Sequence, residues 1–231
     1  MVWPVDFINQ FICGDSVEVM KLIPDKAIDV VITDPPWPGH KVKFVTDEYD
    51  LFARAAAQIA RIARRLVIHL GSTTDPRFLK TVPESLPFLR VCWLRYIPYR
   101  YKGNILYGSD VAYVFGEGFL SEGQRVLGGE CTQVSRGYRD PLEIHPTPRA
   151  EAHARWLVKT FTRKDSIVLD PFAGTGTIPI AAKILGHNFV AIDIIKEYCE
   201  NAIEKLKARS PELFDPPELL HPAKSYNLVL T

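Results

Sequence analysis

The sequence predicts an α/β fold with a doubly wound, mostly parallel sheet, and three observations lead to that prediction. Short apolar runs alternate along the chain with helical patterns of three- and four-residue spacing. One run, Val30-Val-Ile-Thr33, is β-branched and ends at an acid and two prolines. Another, Ile167-Val-Leu169, leads through an acid into a glycine turn that opens a helix. Such runs are typical of strands buried on both faces, as in parallel sheets.

The apolar runs predict seven strands. They cover residues 11–13, 29–33, 66–70, 90–97, 110–115, 167–169 and 189–193. The predicted helices are a short one that follows Asp15 to about residue 22, then 50–65, 149–162, 178–185 and 196–207. Over residues 50–65 the apolar side chains recur at helical spacing and the arginines face outward. Gly186 ends the helix before it in the usual C-terminal position.

Composition indicates one soluble domain. The chain has 231 residues, of which 47% are apolar and 24% charged, enough for a substantial core. No apolar run approaches the ~20 residues of a membrane span, and the N-terminus lacks the features of a secretion signal. The four cysteines have no CxxC spacing, which predicts reduced thiols in the cytoplasm and no zinc site. Residues 1–231 are expected to form a single domain, with a short glycine-rich insertion at 116–144 and an irregular tail at 208–231.

Charge is unevenly distributed along the chain. Residues 1–40 carry six acids and two lysines, a net charge of −4. Residues 90–164 carry twelve Lys and Arg against seven acids, a net charge of +5. This pattern fits a surface that faces a polyanion. Chance variation along a near-neutral protein explains it equally well.

The glycine turn predicts a site for a nucleotide-like ligand. In Asp170-Pro-Phe-Ala-Gly174-Thr-Gly176-Thr177, small residues let the backbone approach a ligand, and the following helix N-terminus favours a negative group. Pro179 stands where the dinucleotide fingerprint has its third glycine, which disfavours a pyrophosphate. Asp193 ends the next strand and is placed to accept hydrogen bonds from ribose hydroxyls. S-adenosylmethionine, with ribose and no diphosphate, fits best; the alternative is a tight turn with a capping acid.

Taken alone, a strand-ending turn with a surface aromatic explains the stretch Asp34-Pro35-Pro36-Trp37 as well as a functional motif does. Together with Phe172-Ala-Gly174-Thr-Gly176 it resembles the motifs of the DNA amino-methyltransferases, which methylate exocyclic amines of adenine or cytosine. The order of the two motifs is that of the family's β class. The segment from Gly14 to Trp37 is similar to the family's N-terminal block. His145-Pro-Thr147-Pro-Arg149 is similar to its HPTxK block, with Arg149 in place of the lysine.

The resemblance implies a Rossmann-like methyltransferase sheet with a circularly permuted motif order, S-adenosylmethionine as cofactor and DNA as partner. It makes residues 116–144 a candidate target-recognition region. The implied catalytic residues are Asp34, Pro35, Pro36 and Trp37. The implied cofactor-binding residues are Asp15, His145, Thr147, Asp170, Phe172, Gly174, Thr175, Gly176, Thr177 and Asp193. A helix N-cap is nearly as good an account of Asp15, and Asp170 could instead orient the loop.

An exocyclic amine is a poor nucleophile because its lone pair is delocalised into the base. Two acceptors, each taking one amine hydrogen bond, make the nitrogen more pyramidal and stabilise positive charge as it develops. Asp34 and the carbonyl of Pro35 are the predicted acceptors. Pro36 keeps the turn rigid, and Trp37 stacks on a base swung out of the helix. Methylation of a ring carbon is typically served by a cysteine after a proline, and no cysteine of this chain follows one.

A strip of interleaved cations and tyrosines suits phosphate contacts and stacking on unpaired bases. Its members are Arg95, Tyr96, Tyr99, Arg100, Tyr101 and Lys102. An edge strand with a solvated face explains the strip equally well. After the Asp34 motif, Gly39-His40-Lys41 is interpreted as a lid over the base, so His40 and Lys41 join the predicted nucleic-acid contacts.

Aspartate at the first motif position goes mostly with adenine in the family, so the resemblance favours methyl transfer to the N6 amine of adenine in DNA. Cytosine N4 and adenine in RNA are the near alternatives. A non-catalytic nucleic-acid-binding subunit is the alternative from another class, and the missing third glycine opposes a dinucleotide-dependent oxidoreductase. The protein is expected to be cytoplasmic, without a membrane partner, and a monomer or homodimer.

Overall fold

Eight strands form one sheet in the computed structural model, which describes residues 1–37, 47–118, 128–134 and 140–209. The strands in chain order are β1 (Gln10–Cys13), β2 (Val30–Thr33), β3 (Arg65–Gly71), β4 (Phe88–Lys102), β5 (Ile105–Gly116), β6 (Glu130–Val134), β7 (Ile167–Asp170) and β8 (Asn188–Asp193). They lie side by side in the order β1-β8-β7-β2-β3-β5-β4-β6.

Most neighbouring strands are parallel, as the sequence predicts. Every adjacent pair from β1 through β8, β7 and β2 to β3 is parallel, and β4 pairs with β6 in the same way. β5 is antiparallel to both β3 and β4. The prediction of a doubly wound, mostly parallel sheet is therefore confirmed. Because β1, β2, β7 and β8 run the same way, their carboxyl ends share one edge of the sheet.

Helices cover both faces of the parallel strands. They are α1 (Ser16–Met20), α2 (Glu48–Ile62), α3 (Glu151–Phe161), α4 (Thr177–Ile184) and α5 (Lys196–Arg209), with a 3-10 helix at Pro76–Thr81. α1, α2 and the 3-10 helix pack in one core, and α3, α4 and α5 pack in the other. Within β2, Val31 faces the first core while Val30 and Ile32 face the second. Of the described helices, none is long and apolar enough to cross a membrane.

The end of α2 differs from the prediction. The helix stops at Ile62, and Arg65, predicted on its outer face, begins β3 and is fully buried. Its Nε donates to the carbonyl of Glu117 at 2.8 Å, and burial lowers the pKa of Arg65 to about 10. Helical spacing misses this position because an arginine is buried only where acceptors meet it, and the acceptor here is distant in sequence.

The glycine-rich region 116–144 contains a strand that the sequence pattern does not reveal. β6 lies at the edge of the sheet and pairs in parallel with β4. β4 and β5 are longer than predicted and form a hairpin that turns at residues 103–104. Residues 119–127 and 135–139 of the region, the lid at 39–41 and residues 210–231 of the tail lie outside the described residues.

Candidate active site

A cavity of about 490 Å³ opens at the carboxyl edge of the parallel strands. Asp15 lies just after β1, Asp34 follows β2 and Asp193 ends β8, and all three side chains line the cavity. Ligands of open α/β sheets bind at this edge, where the strand order reverses, and the volume is that of a small-molecule site. The fold therefore brings the Asp34 turn and the glycine loop to one cavity.

Trp37 lies against the end of β3. A Cβ atom added at Gly71 would stand 2.9 Å from Cζ3 of Trp37, so only a glycine leaves room for the indole here. The guanidinium of Arg149 also lies over the indole, with its carbon 4.3 Å from the ring centroid. Contacts with Gly71 and Arg149 thus hold Trp37 at the cavity wall.

Arg149 holds the carboxylate of Asp34 in a bidentate ion pair. Its Nε lies 2.5 Å from Oδ2 of Asp34, and its Nη2 lies 2.9 Å from Oδ1. Its third nitrogen, Nη1, donates to Oδ2 of Asp110 at 3.0 Å. Burial lowers the pKa of Arg149, but the charge and hydrogen bonds of Asp34 and the charge of Asp110 outweigh it and raise the pKa above its ordinary value. Both carboxylates therefore face a permanent positive charge.

Asp110, on β5, connects Arg149 to a buried polar cluster. Its Oδ2 accepts from the hydroxyl of Tyr96 at 2.6 Å and lies 3.1 Å from Nε2 of His69. Burial raises the pKa of the Asp110 carboxyl, but the hydrogen bond and charge of His69 and the charge of Arg149 bring it below its ordinary value. Tyr96, predicted in the nucleic-acid strip, points its hydroxyl inward, and its ring lies 4.8 Å from that of His153.

Two residues with positive φ shape the glycine loop. Gly174 has a φ of 51° and Gly176 a φ of 82°, and a Cβ at Gly176 would stand 2.8 Å from that of Ala202. Asp193 fixes the loop, because its Oδ2 accepts the backbone N–H of Gly174 at 2.7 Å and its Oδ1 accepts that of Ile195 at 2.8 Å. Burial raises the pKa of Asp193. A carboxylate has further lone pairs, so Asp193 can still accept from a ligand.

Four predicted cofactor contacts lie behind the cavity wall. They are Asp170, Thr175, Gly176 and Thr177, which do not line the cavity. The Oδ1 of Asp170 accepts from the hydroxyl of Thr33 at 2.7 Å and from the backbone N–H of Phe172 at 3.1 Å. Burial raises the pKa of Asp170 to about 7. These contacts tie β2 to the glycine loop, in agreement with the orienting role that the sequence left open.

The other six predicted cofactor contacts line the cavity. They are Asp15, His145, Thr147, Phe172, Gly174 and Asp193. Asp15 also caps α1, since its Oδ1 accepts from the backbone N–H groups of Val17 at 2.8 Å and Glu18 at 3.1 Å. The Nδ1 of His145 accepts from the backbone N–H of Thr147 at 3.1 Å. Contact of these residues with a cofactor stays a prediction.

The predicted nucleic-acid strip lies on β4, outside the cavity lining. Tyr99 is 56% exposed and Tyr101 is 74% exposed. The guanidinium of Arg95 pairs at 3.2 Å with Glu130 of β6, and both side chains are more than half exposed. The remaining members are Arg100 and Lys102, whose backbone lies in β4, and His40 and Lys41, which lie outside the described residues.

Sequence reasoning missed the roles of Arg149 and Asp110. The sequence singles out Arg149 only as a departure from the family's lysine and Asp110 only as the start of a strand. An acid inside an apolar strand pattern is the signal that could have found Asp110, because such an acid is buried only with partners. No local sequence pattern marks Gly71, since a glycine is required there only because Trp37, on another segment, lies against it.

Among the described residues, the cavity wall carries more aspartates than arginines. Its aspartates are Asp15, Asp34, Asp47, Asp50, Asp110 and Asp193, and its arginines are Arg54 and Arg149. An excess of carboxylates repels a diphosphate and attracts a ligand with a positive charge. The described wall therefore favours a cationic ligand over a dinucleotide.

Comparison with known proteins shows a similarity to DNA methylases. The model of the DNA methylase family matches residues 109–205, which include Arg149 and the glycine loop. YubD of Escherichia coli K12, which carries the name of a methylase, is 27% identical over 218 residues that cover 87% of this chain and 91% of YubD. The resemblance predicted from the sequence motifs is therefore confirmed: the chain is similar to DNA methylases.

Solved structures share the fold. TTHA0409 of Thermus thermophilus, described as a DNA modification methylase and solved with S-adenosylmethionine, has a TM-score of 0.69 and 21% identity, covering 93% of this chain and 98% of its own. The cytosine-N4-specific PvuII DNA methyltransferase has a TM-score of 0.68 and 15% identity, covering 86% of this chain and 89% of its own. The sheet described above is therefore the sheet of known DNA methyltransferases.

Proposed function

We propose that this protein transfers a methyl group from S-adenosylmethionine directly to the N6 amine of adenine in DNA. The observation that carries the proposal is that Asp34 and Asp193, at the ends of β2 and β8, line one acidic cavity. One carboxylate suits the amine of a base and the other suits a ribose. A methyl donor and its acceptor can therefore meet in this cavity.

At the cofactor end, Asp193 accepts hydrogen bonds from the ribose hydroxyls. Gly174 leaves space for the ligand, since a Cβ there would have no neighbour nearer than 3.7 Å in the described part of the chain. Ile194, 47% exposed, and Tyr198 supply the apolar contact that an adenine ring needs. S-adenosylmethionine supplies a methyl group on a cationic sulfur, which suits the acidic wall. The cofactor found in TTHA0409 supports this assignment.

At the base end, Asp34 and the carbonyl of Pro35 each accept one hydrogen bond from the target amine. The nitrogen becomes more pyramidal and forms its bond to the methyl carbon as the bond from sulfur breaks, and the proton it then loses passes to the hydrogen-bonded carboxylate of Asp34 and on to water. Trp37 stacks on the base, and its indole is held in place by the contact with Gly71. No covalent intermediate with the protein is required.

Adenine is the proposed base because Asp34 stands at the first position of the motif, where aspartate goes mostly with adenine in the family. Cytosine is the alternative that the experiment must separate, since the PvuII enzyme that shares this fold is cytosine-N4-specific. Both bases present an exocyclic amine that the same two acceptors would activate.

The test is methyl transfer from isotopically labelled S-adenosylmethionine to unmethylated DNA and, in parallel, to RNA. Native protein, Asp34→Ala and the matched control Asp25→Asn, at an exposed aspartate, are compared by mass spectrometry of the digested nucleosides. Label on adenine N6 with the native protein and the control, lost in Asp34→Ala, supports the proposal. Label on cytosine N4 overturns the choice of base. A protein that binds cofactor and labels neither polymer is a non-catalytic subunit.

A further inference from the structure

We infer that Arg149 is a gate of the base pocket: in the base-free protein its guanidinium occupies the position of the target base, and it leaves Asp34 when bound DNA delivers that base. The inference rests on the proposed function and adds to it a residue that admits bases of bound DNA to the pocket and excludes free nucleosides.

The guanidinium makes the two contacts that the proposed chemistry reserves for the base. It is planar and lies over the indole of Trp37, with its carbon 4.3 Å from the ring centroid. Its Nε and Nη2 donate to the two oxygens of Asp34 at 2.5 and 2.9 Å, where the target amine must donate. A base and the guanidinium cannot hold these contacts at the same time.

The position of the ion pair also favours a gate over a purely structural contact. Arg149 and Asp34 both line the cavity, and their side chains are 18% and 28% exposed. Arg149 precedes α3, which begins at Glu151, so its backbone is not confined by helical hydrogen bonds. The pair thus faces the space through which a base must arrive.

Asp110 gives the displaced guanidinium a second anchor. Nη1 of Arg149 donates to Oδ2 of Asp110 at 3.0 Å, independently of the nitrogens that hold Asp34. Tyr96 and His69 fix that carboxylate from behind. Arg149 can therefore release Asp34 and keep one charged partner, which avoids an unpaired charge at the wall. A lysine lacks the planar fork, so it could not pair bidentately with Asp34 while stacking on the indole.

The gate has a consequence for substrate choice. A neutral amine donates to a carboxylate more weakly than a guanidinium does. A free nucleoside therefore cannot displace Arg149 from Asp34. A base in bound DNA is held beside the pocket by the contacts of the whole duplex, which raise its effective concentration. The gate thus admits a base only as part of a polymer.

The test is equilibrium dialysis of labelled adenosine and cytidine against protein saturated with S-adenosylhomocysteine, which blocks the cofactor end of the cavity. Arg149→Met keeps an unbranched side chain and removes the guanidinium donors, and Arg149→Lys keeps the charge without the bidentate contact. Arg155→Met is the matched control, because Arg155 is an exposed arginine of α3 that pairs only with Glu151 among the described residues. Thermal melting and cofactor affinity report whether each variant is folded.

The gate predicts that Arg149→Met binds adenosine at least about tenfold more tightly than native protein, with Arg149→Lys between them and Arg155→Met unchanged. If Arg149→Met does not fold, tighter binding by Arg149→Lys carries the same test. Folded Arg149 variants that bind nucleosides no better than native protein overturn the gate. Nucleoside binding needs no methyl transfer, so the two proposals fail separately. If native protein methylates DNA but the Arg149 variants bind nucleosides no more tightly, only the gate is overturned. If Arg149→Met binds adenosine more tightly but native protein methylates no polymer, only the proposed reaction is overturned.

Discussion

Lys205 and Glu143 form an ion pair at 2.5 Å in which the side chains are only 2% and 6% exposed. The other carboxylate oxygen of Glu143 accepts from the hydroxyl of Thr175 and from the backbone N–H of His145, both at 2.8 Å. Burial raises the pKa of Glu143, yet Lys205 and these donors bring it below its ordinary value. The pair therefore joins α5 to the glycine loop and to the segment that carries His145.

Lys205→Met is expected to lower the free energy of unfolding by about 3–5 kcal/mol, because it leaves the Glu143 carboxylate buried without its counter-ion. The free energy is measured by chemical denaturation at pH 7. Lys207→Met, at an exposed lysine of the same helix, is the control and should change stability little. Adding Glu143→Gln to Lys205→Met should recover part of the loss. A Lys205→Met protein as stable as native protein would contradict the prediction.

Asp170 makes stability depend on pH. Burial raises the pKa of Asp170 to about 7 in the folded protein, well above the value of 3.8 of an ordinary aspartate. Between these two values the folded state keeps a proton that the unfolded chain releases, so stability falls as the pH rises through this window and is level above it. Asp170→Asn removes the titration and keeps an oxygen that can accept from Thr33 and Phe172.

We therefore expect Asp170→Asn to match native stability near pH 4 and to exceed it by up to about 4 kcal/mol at pH 8. The measurement is denaturant unfolding of both proteins across this range without cofactor. Comparing the two proteins cancels the titration of groups that they share. Asp25→Asn should show no such divergence, and parallel curves for Asp170→Asn and native protein would disprove the prediction.

Gly71→Ala tests the position of Trp37. The added Cβ would stand 2.9 Å from Cζ3 of Trp37, so the indole must move away from the end of β3. If Trp37 receives the base, methyl transfer should fall by at least about tenfold, since misplacing a positioning group by about 1 Å can cost a hundredfold. Affinity for S-adenosylhomocysteine should stay unchanged, because Trp37 is assigned to the other end of the cavity.

Gly118→Ala is the control for that variant. Among the described residues, a Cβ at Gly118 meets only Leu89, at the ordinary contact distance of 3.4 Å, and Gly118 does not line the cavity. Both variants are compared by initial rates on DNA and by cofactor titration. A Gly71→Ala protein with native rates would remove the indole from the proposed base site.

The parallel half of the molecule was predictable because its strands are short β-branched runs buried on both faces, and because Asp34, Asp170 and Asp193 each mark the end of one. This local order along the chain is enough to place the acids at one edge of a sheet. The fold and its two motifs could therefore be inferred before any contact was seen.

The contacts that organise the site could not be predicted in the same way. Arg149 and Asp34 are 115 residues apart in sequence, so no local pattern joins them. Tyr96 belongs to a strip of exposed aromatics and differs from it only because Asp110, across the hairpin, accepts from its hydroxyl. β6 lacks a clear alternation of apolar and polar residues, so its sequence does not predict a strand. The segment is extended because it pairs with β4.

The exposed tyrosines of β4 are left as the predicted contact with DNA. Tyr99 and Tyr101 are two residues apart, so their side chains lie on the same face of the strand. The ring of Tyr99 rests on Gly108 of β5, where a Cβ would come within 3.2 Å of it. Each ring thus presents an exposed surface and suits stacking on unpaired bases.

Tyr99→Ala and Tyr101→Ala are expected to weaken binding of single-stranded DNA by about 1–3 kcal/mol each, because each removes one stacking surface. The slope of binding against salt concentration should stay unchanged, since no charge is lost, whereas Arg95→Gln should lower it by about one counterion. Phe88→Ala, at an exposed aromatic at the other end of β4, is the control. Fluorescence anisotropy over a salt series measures both quantities. Native affinity in both tyrosine variants would show that the strip is a solvated strand face, because stacking surfaces cannot be removed from a nucleic-acid contact without loss.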